Sequence, residues 1–497
     1  MIFLFIALPL VVAAFMPLIG KVSQKVLPDI LANAVFLVLL VLAATSGRQL
    51  IGQGPVLQSL SWLGEPVAIQ IAVDGFSLFM LMVVSLVTLC VGLYSINYMT
   101  HYGSKANFYA LLLMMVAGMN GLVLVTDLFQ VYLFLEVAAV ASYALVAFGL
   151  EHDELEASFK YLMLSVVASA AILVAIGVLY GLTGSLGFAA VGDALRGLEA
   201  NKGAIALCAA LFLMGFGLKA ALVPFHAWLP DAHPSAPAPI SAVLSGLLIK
   251  VSGVYALTRI FFTVFGLEPG GALSQTLMIL GAISIAVAAF LATGQTDMKR
   301  MLAYSSISQV GYVVLGIGIG TPLGVAGGLF HLFNHALAKG LLFLNSGAVQ
   351  QSTGTRNLDE MGGLAKRMPV TAGTSLVGSL SIAGVPPLGG FWSKLLIIIA
   401  LVQAGHGVLA VVAVLASVVT LWYYLIMQRK AFFGKLNEKW AAVKEAPFWM
   451  TAATVLLALL VIGAGLFFAA IVRTWVQPAS ESLAKGLQAA FRGLGGF

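Results

Sequence analysis

The chain has 497 residues, of which 61% are hydrophobic and 9% charged, and it carries a formal net charge of +6. Its mean hydropathy of +1.04 excludes a soluble globular protein and marks a polytopic membrane protein. The basic excess follows loop position, as shown below, and gives no nucleic-acid reading. The two cysteines, Cys90 and Cys208, both lie in apolar runs, so no disulfide framework is indicated.

In chain order the apolar runs predict fourteen spans, at 2–19, 30–46, 76–98, 108–126, 128–149, 160–182, 204–223, 238–263, 272–293, 301–318, 324–349, 370–400, 406–428 and 450–472. Most match the roughly 20 residues that a bilayer requires. The first run has no charge before its apolar core, and Lys21 and Lys25 follow it. It reads as a retained span with the N-terminus outside rather than as a signal peptide. The twelfth run is too long for one straight span and contains Gly384, Pro386, Pro387, Gly389 and Gly390, which predicts a broken helix. After the last span, Leu483, Leu487, Ala490 and Phe491 recur at near-helical spacing, as in a short interfacial helix or a solvated tail. None of the polar connections (47–75, 183–203, 350–369, 429–449) is large enough for a catalytic domain. Residues 1–497 therefore read as a single integral membrane domain.

Orientation follows from the basic residues. The odd-numbered connections hold fourteen: Lys21, Lys25, Lys105, Lys160, Lys299, Arg300, and eight between Arg356 and Lys444. The even-numbered ones hold three, Arg48, Arg196 and Lys202. This asymmetry places the odd connections in the cytoplasm and both termini outside it. Arg259, late in its span, is expected to snorkel to the interface.

Seven ionisable residues remain inside the apolar spans: Glu136, Lys219, Lys250, His331, His335, Lys339 and Lys394. Such groups are costly in hydrocarbon and mark ion or proton pathways. Lys219 precedes five prolines between Pro224 and Pro239, so its helix must end or break near Pro224. Non-helical backbone at membrane depth persists only where protein or cavity water satisfies it. His331, His335 and Lys339 recur every four residues and share one helical face. Imidazole donates and accepts near neutral pH, so such a row can pass protons. Lys394 stands beside the Pro/Gly break of the twelfth run. Two interrupted helices, each with a lysine, in the two halves of the chain suggest repeated halves with ion sites at the breaks.

Other readings stay open on the residues alone. A single buried lysine can be a structural tie. His at i and i+4 is a zinc spacing, but no Glu adjoins His331, so an HExxH protease is not supported. The patch Ser305, Ser306, Ser308, Gln309 and Tyr312 suits either a water path or helix packing. Asp231 and His233 read as hydrogen-bonded loop residues more than as carriers. A quinone- or metal-dependent redox enzyme finds no cysteine cluster, haem motif or nucleotide loop, and a purely scaffolding role predicts that neutralising Lys219 leaves transport intact.

The stretches GLKAALVPFHAWLPDAHPSAPAPISAVLSGLLIK (217–250), DMKRMLAYSSISQVGY (297–312), HLFNHALAKG (331–340) and GVPPLGGFWSK (384–394) resemble the antiporter-like subunits shared by Mrp-type cation/proton antiporters, respiratory complex I and membrane-bound hydrogenases. The resemblance runs from about residue 70 to residue 430. It implies an all-α polytopic fold of about 14 transmembrane helices with two inverted five-helix repeats and broken helices 7 and 12. The divisions would be 1–106 (helices 1–3), 107–263 (helices 4–8), 272–430 (helices 9–13) and 450–497 (helix 14 and tail). It implies roles in proton transfer: Glu136 as the helix-5 glutamate, Lys219 as its helix-7 partner, Lys250 as the helix-8 relay, His331, His335 and Lys339 as the helix-11 relay, and Lys394 as the helix-12 lysine.

The short tail sets the chain apart from the largest complex I member, and its early spans from the smallest bacterial-type one. The complex I member nearest in length usually has glutamate where Lys394 stands; a lysine there is similar to the D-type component of the Mrp antiporter. The implied function is proton translocation within a multi-subunit Na+/proton antiporter in a bacterial-type cell membrane. Its partners would be other membrane subunits, protons, Na+ and the lipid bilayer, with no cofactor, metal or nucleic acid. The alternative is a proton-pumping membrane-arm component of complex I (NADH-quinone oxidoreductase) or of a membrane-bound hydrogenase.

Overall fold

Apolar segments in lipid must satisfy their backbone internally, and helices do so within one segment. The computed structural model, which describes residues 2–23, 25–53, 56–60, 69–198 and 201–491, is accordingly built almost wholly of helices. In chain order these are α1 (Leu4–Val22), α2 (Leu27–Gln53), α3 (Gly75–Tyr98), α4 (Lys105–Leu124), α5 (Leu128–Val146), α6 (His152–Thr183), α7 (Phe188–Gly197), α8 (Lys202–Lys219), α9 (Leu229–Ser235), α10 (Ala238–Val243), α11 (Ala256–Thr263), α12 (Ala272–Thr293), α13 (Met298–Gly318), α14 (Pro322–Thr353), α15 (Pro369–Ala383), α16 (Gly389–Gln403), α17 (Gly407–Gln428), α18 (Phe448–Leu466), α19 (Phe468–Ile471) and α20 (Gln477–Phe491). A wide-turned helical stretch, Leu244–Tyr255, joins α10 to α11 without interruption. Two short strands, β1 (Val56–Leu60) and β2 (Ile69–Val73), pair antiparallel with Val56 opposite Val73.

Among the described residues, twelve helices are long and apolar enough to cross a membrane. At 32 residues α14 is long enough too, rising about 48 Å, but His331, Asn334, His335, Lys339 and Asn345 dilute its apolar character. With the interrupted pair α15/α16, the described residues are compatible with fourteen crossings. Helix α8 ends at Lys219, somewhat earlier than Pro224 suggested, because Ala221 turns left-handed (φ 56°) before that proline. The second break behaves alike: α15 closes on Gly384 at φ 88°, and α16 begins at Gly389. At both positions the next helix starts only after prolines have removed backbone donors.

Two clasps of matching geometry hold the bundle. Leu128 N donates to Leu186 O (2.9 Å) and Phe188 N to Thr126 O (3.0 Å); Met298 N donates to Arg356 O (3.0 Å) and Leu358 N to Thr296 O (2.8 Å). Every residue of the second set lies 170 positions after its counterpart, from Asp127 to Asp297 and from Gly184 to Gly354. Each clasp follows a 32-residue helix, α6 or α14, that ends on a left-handed glycine. Five crossings separate Asp127 from Asp297, so the clasps sit on opposite faces. The face carrying residues 147–151, 294–297, 354–368 and 429–447 is called the basic face below.

The core sits in the middle of the bundle. The whole apolar window of Ala238–Thr263 and 94% of that of α13 are buried, against 33% for α1 and α17. The outer helices turn bare apolar side chains outward, among them Phe159, Val167 and Val174 on α6 and Val411, Leu415 and Val418 on α17.

Three cations assigned from sequence to loops or to the interface are buried instead. Arg259 does not snorkel: it is 5% exposed and grips Asp74, the N-cap of α3, through two bonds of 2.6 and 2.8 Å. Lys105 pairs with Asp29 at 2.7 Å, and Lys299 lies inside the first turn of α13. Helix α20 packs along α3, with Ser482 Oγ accepting from Gly75 N at 3.0 Å, as a segment lying against the bundle. Of the expected tail contacts, the side chains of Leu487, Ala490 and Phe491 lie outside the described residues.

Candidate functional site

The first pair of the sequence-predicted residues meets between α5 and α8. Glu136 Oε1 stands 3.8 Å from Lys219 Nζ, with the glutamate side chain 29% and the lysine 2% exposed. Both are braced from α6: Ser169 donates to Glu136, and Lys219 donates to Ser165, which also accepts from Tyr143 Oη at 2.5 Å. Trp228, stacked on Tyr161 at 4.1 Å, donates from Nε1 to Leu218 O at 2.9 Å. It thereby adds a second donor to a carbonyl of the last turn of α8, which also accepts from Ala221 N at 3.0 Å. Lys219, in the last turn, stands at the negative end of that helix, where a cation is favoured.

Lys250 lies in the middle of the wide-turned stretch, where it donates to Ser245 O. Among the described residues no carboxylate pairs with it. Wide turns of this kind recur at functional sites. Gly253 has no side chain to hold Ala220 away, so the backbone beside Lys219 packs directly on the helix of Lys250. Ser245 Oγ and Ser306 Oγ are 2.7 Å apart and continue the polar line to α13.

On α14 the rings of His331 and His335 lie parallel with centroids 6.3 Å apart, and both nitrogens of His335 lack a hydrogen-bond partner. The electrostatic neighbours of His335 are Lys250, Lys339, His331 and Lys394. His331 Nδ1 lies 2.9 Å from Ser393 Oγ, and its Nε2 lies 3.2 Å from Gln309 Oε1. Lys394 follows Ser393 directly. Its Nζ donates to Ile382 O (2.8 Å), Ala383 O (3.4 Å) and Ser417 Oγ (3.0 Å), and it sits over the Tyr312 ring at 4.8 Å. These carbonyls are the free C-terminal ones of α15, so the second break also presents a helix's negative end to a lysine.

The structure thus joins Glu136 to Lys219, and sets His335 beside His331, whose ring lies 5.5 Å from that of Tyr312, the ring beneath Lys394. The row on α14 comes nearest to Lys394 at His331 rather than at Lys339. Lys339 lies about two turns beyond His331, donating to Leu302 O (2.8 Å) and Tyr424 Oη (3.0 Å). In the polar patch, Ser306 and Gln309 touch this line, Ser305 meets Tyr424, the acceptor of Lys339, and Tyr312 offers its ring to His331 and Lys394 while its hydroxyl donates to Ala413 O; Ser308 donates to Ile285 O. Among the described residues no cluster of three or more His, Cys, Asp or Glu could hold a metal.

Two residues that sequence reasoning left in loops belong near the site. Asp231 does behave as a surface residue, 3.6 Å from Lys160 and 3.3 Å from Arg300. His233 differs: it is buried, stacks on Phe343 at 4.5 Å, and has neither ring nitrogen bonded. Lys299 is its electrostatic neighbour, together with Lys339 and Lys250. The signal for Lys299 was present, since 299, 302, 306 and 309 share one helical face that carries Ser306 and Gln309.

A family model described as NADH:quinone oxidoreductase/Mrp antiporter, TM, matches residues 125–420, and one described as NADH-Ubiquinone oxidoreductase (complex I), chain 5 N-terminus, matches residues 63–109. The N-type component of the NADH-quinone oxidoreductase of Desulforudis audaxviator is 34% identical over 95% of this chain and 97% of its own length. The D-type component of the Na(+)/H(+) antiporter of Alkalihalophilus pseudofirmus is likewise 34% identical, over 86% of each. Among solved structures, a chain of the Mrp complex from Dietzia sp. superposes with a TM-score of 0.90 at 26% identity, covering 98% of both chains. A chain of an archaeal membrane-bound sulfane sulfur reductase does so at 0.89 and 29%, also over 98% of both. The chain is a multi-pass membrane protein and belongs to the family of antiporter-like subunits that Mrp antiporters share with complex I.

Proposed function

We propose that this chain is the proton-translocating component of a multi-subunit Na+/proton antiporter. Protons would move from Glu136 and Lys219 through Lys250, His335 and His331 to Lys394, with Lys339 as a branch. The observation that carries this reading is the parallel His335 and His331 rings followed by the Tyr312 ring, which lies between His331 and Lys394, a run that ends at the second helix break as Glu136 and Lys219 end at the first. Burial disfavours a lysine's charged form and a neighbouring carboxylate favours it, so changes in their distance or hydration load and release a proton. In this reading the clasps 170 residues apart mark two inverted repeats, 107–263 and 272–430, between segments 1–106 and 450–497. The basic face is cytoplasmic and both termini lie outside. Other membrane subunits cover the flank at Glu136, because a part-exposed carboxylate facing lipid at mid-span is costly.

The second reading, a membrane-arm component of a redox-driven pump, is favoured by the nearly full-length match to the N-type oxidoreductase component and by the reductase superposition. Everted vesicles carrying the complex separate the two. Collapse of a preset pH gradient on adding Na+ supports the antiporter; insensitivity to Na+ together with acidification driven by a reductant assigns the chain to the redox pump. Absence of both refutes proton translocation.

A further inference from the structure

Near the basic face the buried Glu154 and Lys299 take no part in the chain of contacts above and, unlike Lys105 and Asp29, form no ion pair among the described residues. Glu154 is the third residue of α6, and the amides of Gly149 and Glu151 lie within reach of its carboxylate, the ordinary work of an acid at that position. Its Oε2, however, is buried without a hydrogen-bond partner. A structural cap alone gives no reason for leaving a buried oxygen unsatisfied. The residue, 8% exposed, lines a cleft of about 700 Å3 bounded by His101, Tyr102, Asn107, Phe148 and Glu151. The titratable groups facing it are Tyr98 and Tyr102 from the end of α3, Glu151 beside it, and Lys299 from α13.

Lys299 is 1% exposed and donates to Ala236 O at 2.8 Å. Among the described residues no carboxylate forms an ion pair with it. Ala236 closes α9 three residues after His233, whose ring nitrogens are both unbonded. His233 stacks on Phe343, and Lys339 Nζ stands 6.0 Å from the same ring. Cleft, carboxylate, amine, imidazole and amine therefore follow one another from the basic face to α14.

We propose that Glu154 and Lys299 load the relay from the basic face. A proton from the cleft binds Glu154 Oε2 and passes to the neutral amine of Lys299, restoring the carboxylate. The ammonium then gives its proton to His233, and the imidazolium gives it to the neutral amine of Lys339, so each donor returns to its starting form. This inference rests on the function proposed above, and the test separates the two.

Initial transport rates are measured against basic-face pH in everted vesicles carrying the whole complex, with Glu154→Gln, Lys299→Arg and Glu136→Gln. Glutamine keeps an acceptor for the two amides but cannot collect a proton, so the rate should fall about 100-fold and then drop roughly tenfold further for each unit of rising pH, where the wild type is flat. Lys299→Arg keeps a donor for Ala236 O but is fixed in the charged form, so it neither accepts nor releases a proton, and should fall similarly. A wild-type rate in Glu154→Gln, or a reduced rate whose pH profile parallels the wild type, overturns the inference. If Glu154→Gln fails to assemble, Lys299→Arg decides, and normal transport by it overturns the inference too. Normal transport by Glu136→Gln refutes the underlying reading, whereas a dead Glu136→Gln beside a normal Glu154→Gln refutes the loading step alone.

Discussion

Substituting Lys219 by arginine separates carrying a charge from releasing a proton. At 3.8 Å from Glu136 Oε1, and with an effective dielectric of about 20, the ion pair is worth about 4 kcal/mol, or about a thousandfold bias toward the charged lysine. Partial exposure of Glu136 makes that an upper limit. Separating or hydrating the pair removes the bias, which is enough to switch the site between holding and releasing. Arginine preserves the ion pair and the bond to Ser165, so the complex should assemble. Its guanidinium does not deprotonate in any working pH range. Transport should therefore fall at least about 100-fold, in keeping with loss of a positioned proton donor, at an unchanged yield of complex. The assay is Na+-dependent pH-gradient collapse in everted vesicles, normalised to complex recovered by affinity purification. Wild-type transport by Lys219→Arg would refute proton cycling at this residue and leave it a structural tie.

The remaining predictions concern the supports of the path. A Cβ at Gly253 would stand 2.5 Å from Ala220 Cα, so Gly253→Ala should push the end of α8 away, cost about 1–3 kcal/mol in detergent unfolding and reduce transport, and an unchanged rate would show that this contact does not set Lys219. Removing Arg259 by Arg259→Ala leaves Asp74 buried and alone and should cost about 3–5 kcal/mol without altering cation preference. Burial pushes the Asp74 carboxyl up, but Arg259 and Ser77 outweigh it and hold it below its ordinary value; that stabilisation is present above about pH 4 and lost only as pH falls further, which thermal melts against pH will check. At Lys394 every acceptor is an oxygen, so Lys394→Glu should disturb assembly more than Lys394→Met while both stop transport; normal transport by Lys394→Met removes it from the path.

What could be read from sequence was whatever rests on local composition. Apolar runs gave the crossings, and the prolines at 224, 386 and 387 gave the two breaks, because a missing donor acts on its own helix. The four-residue spacing of His331, His335 and Lys339 fixed their common face for the same reason. What escaped depends on partners far along the chain. Arg259 looked like a snorkelling end residue because Asp74 lies 185 positions away. Lys105 and Lys299 counted as loop cations because their neighbours, Asp29 and Ala236, come from other helices. The wide turns around Lys250 have no residue signature beyond two glycines, and whether those glycines receive another backbone is decided by packing.

The two break lysines, alike in sequence, differ in what remains when a proton leaves. At Lys219 departure strands the Glu136 carboxylate, so release there is opposed by the full pair interaction unless water enters or the pair opens. At Lys394 the partners are two carbonyls and a hydroxyl, neutral dipoles that lose a hydrogen bond but leave no unpaired charge. If Lys394 carries a proton as proposed, that proton is held by the end of α15 and let go without a counter-charge to separate. In the proposed function this makes the first break the gated site and the second the easier one to empty. In that function the placement of His331 rather than Lys339 nearest Lys394 would deliver protons to that end of the path.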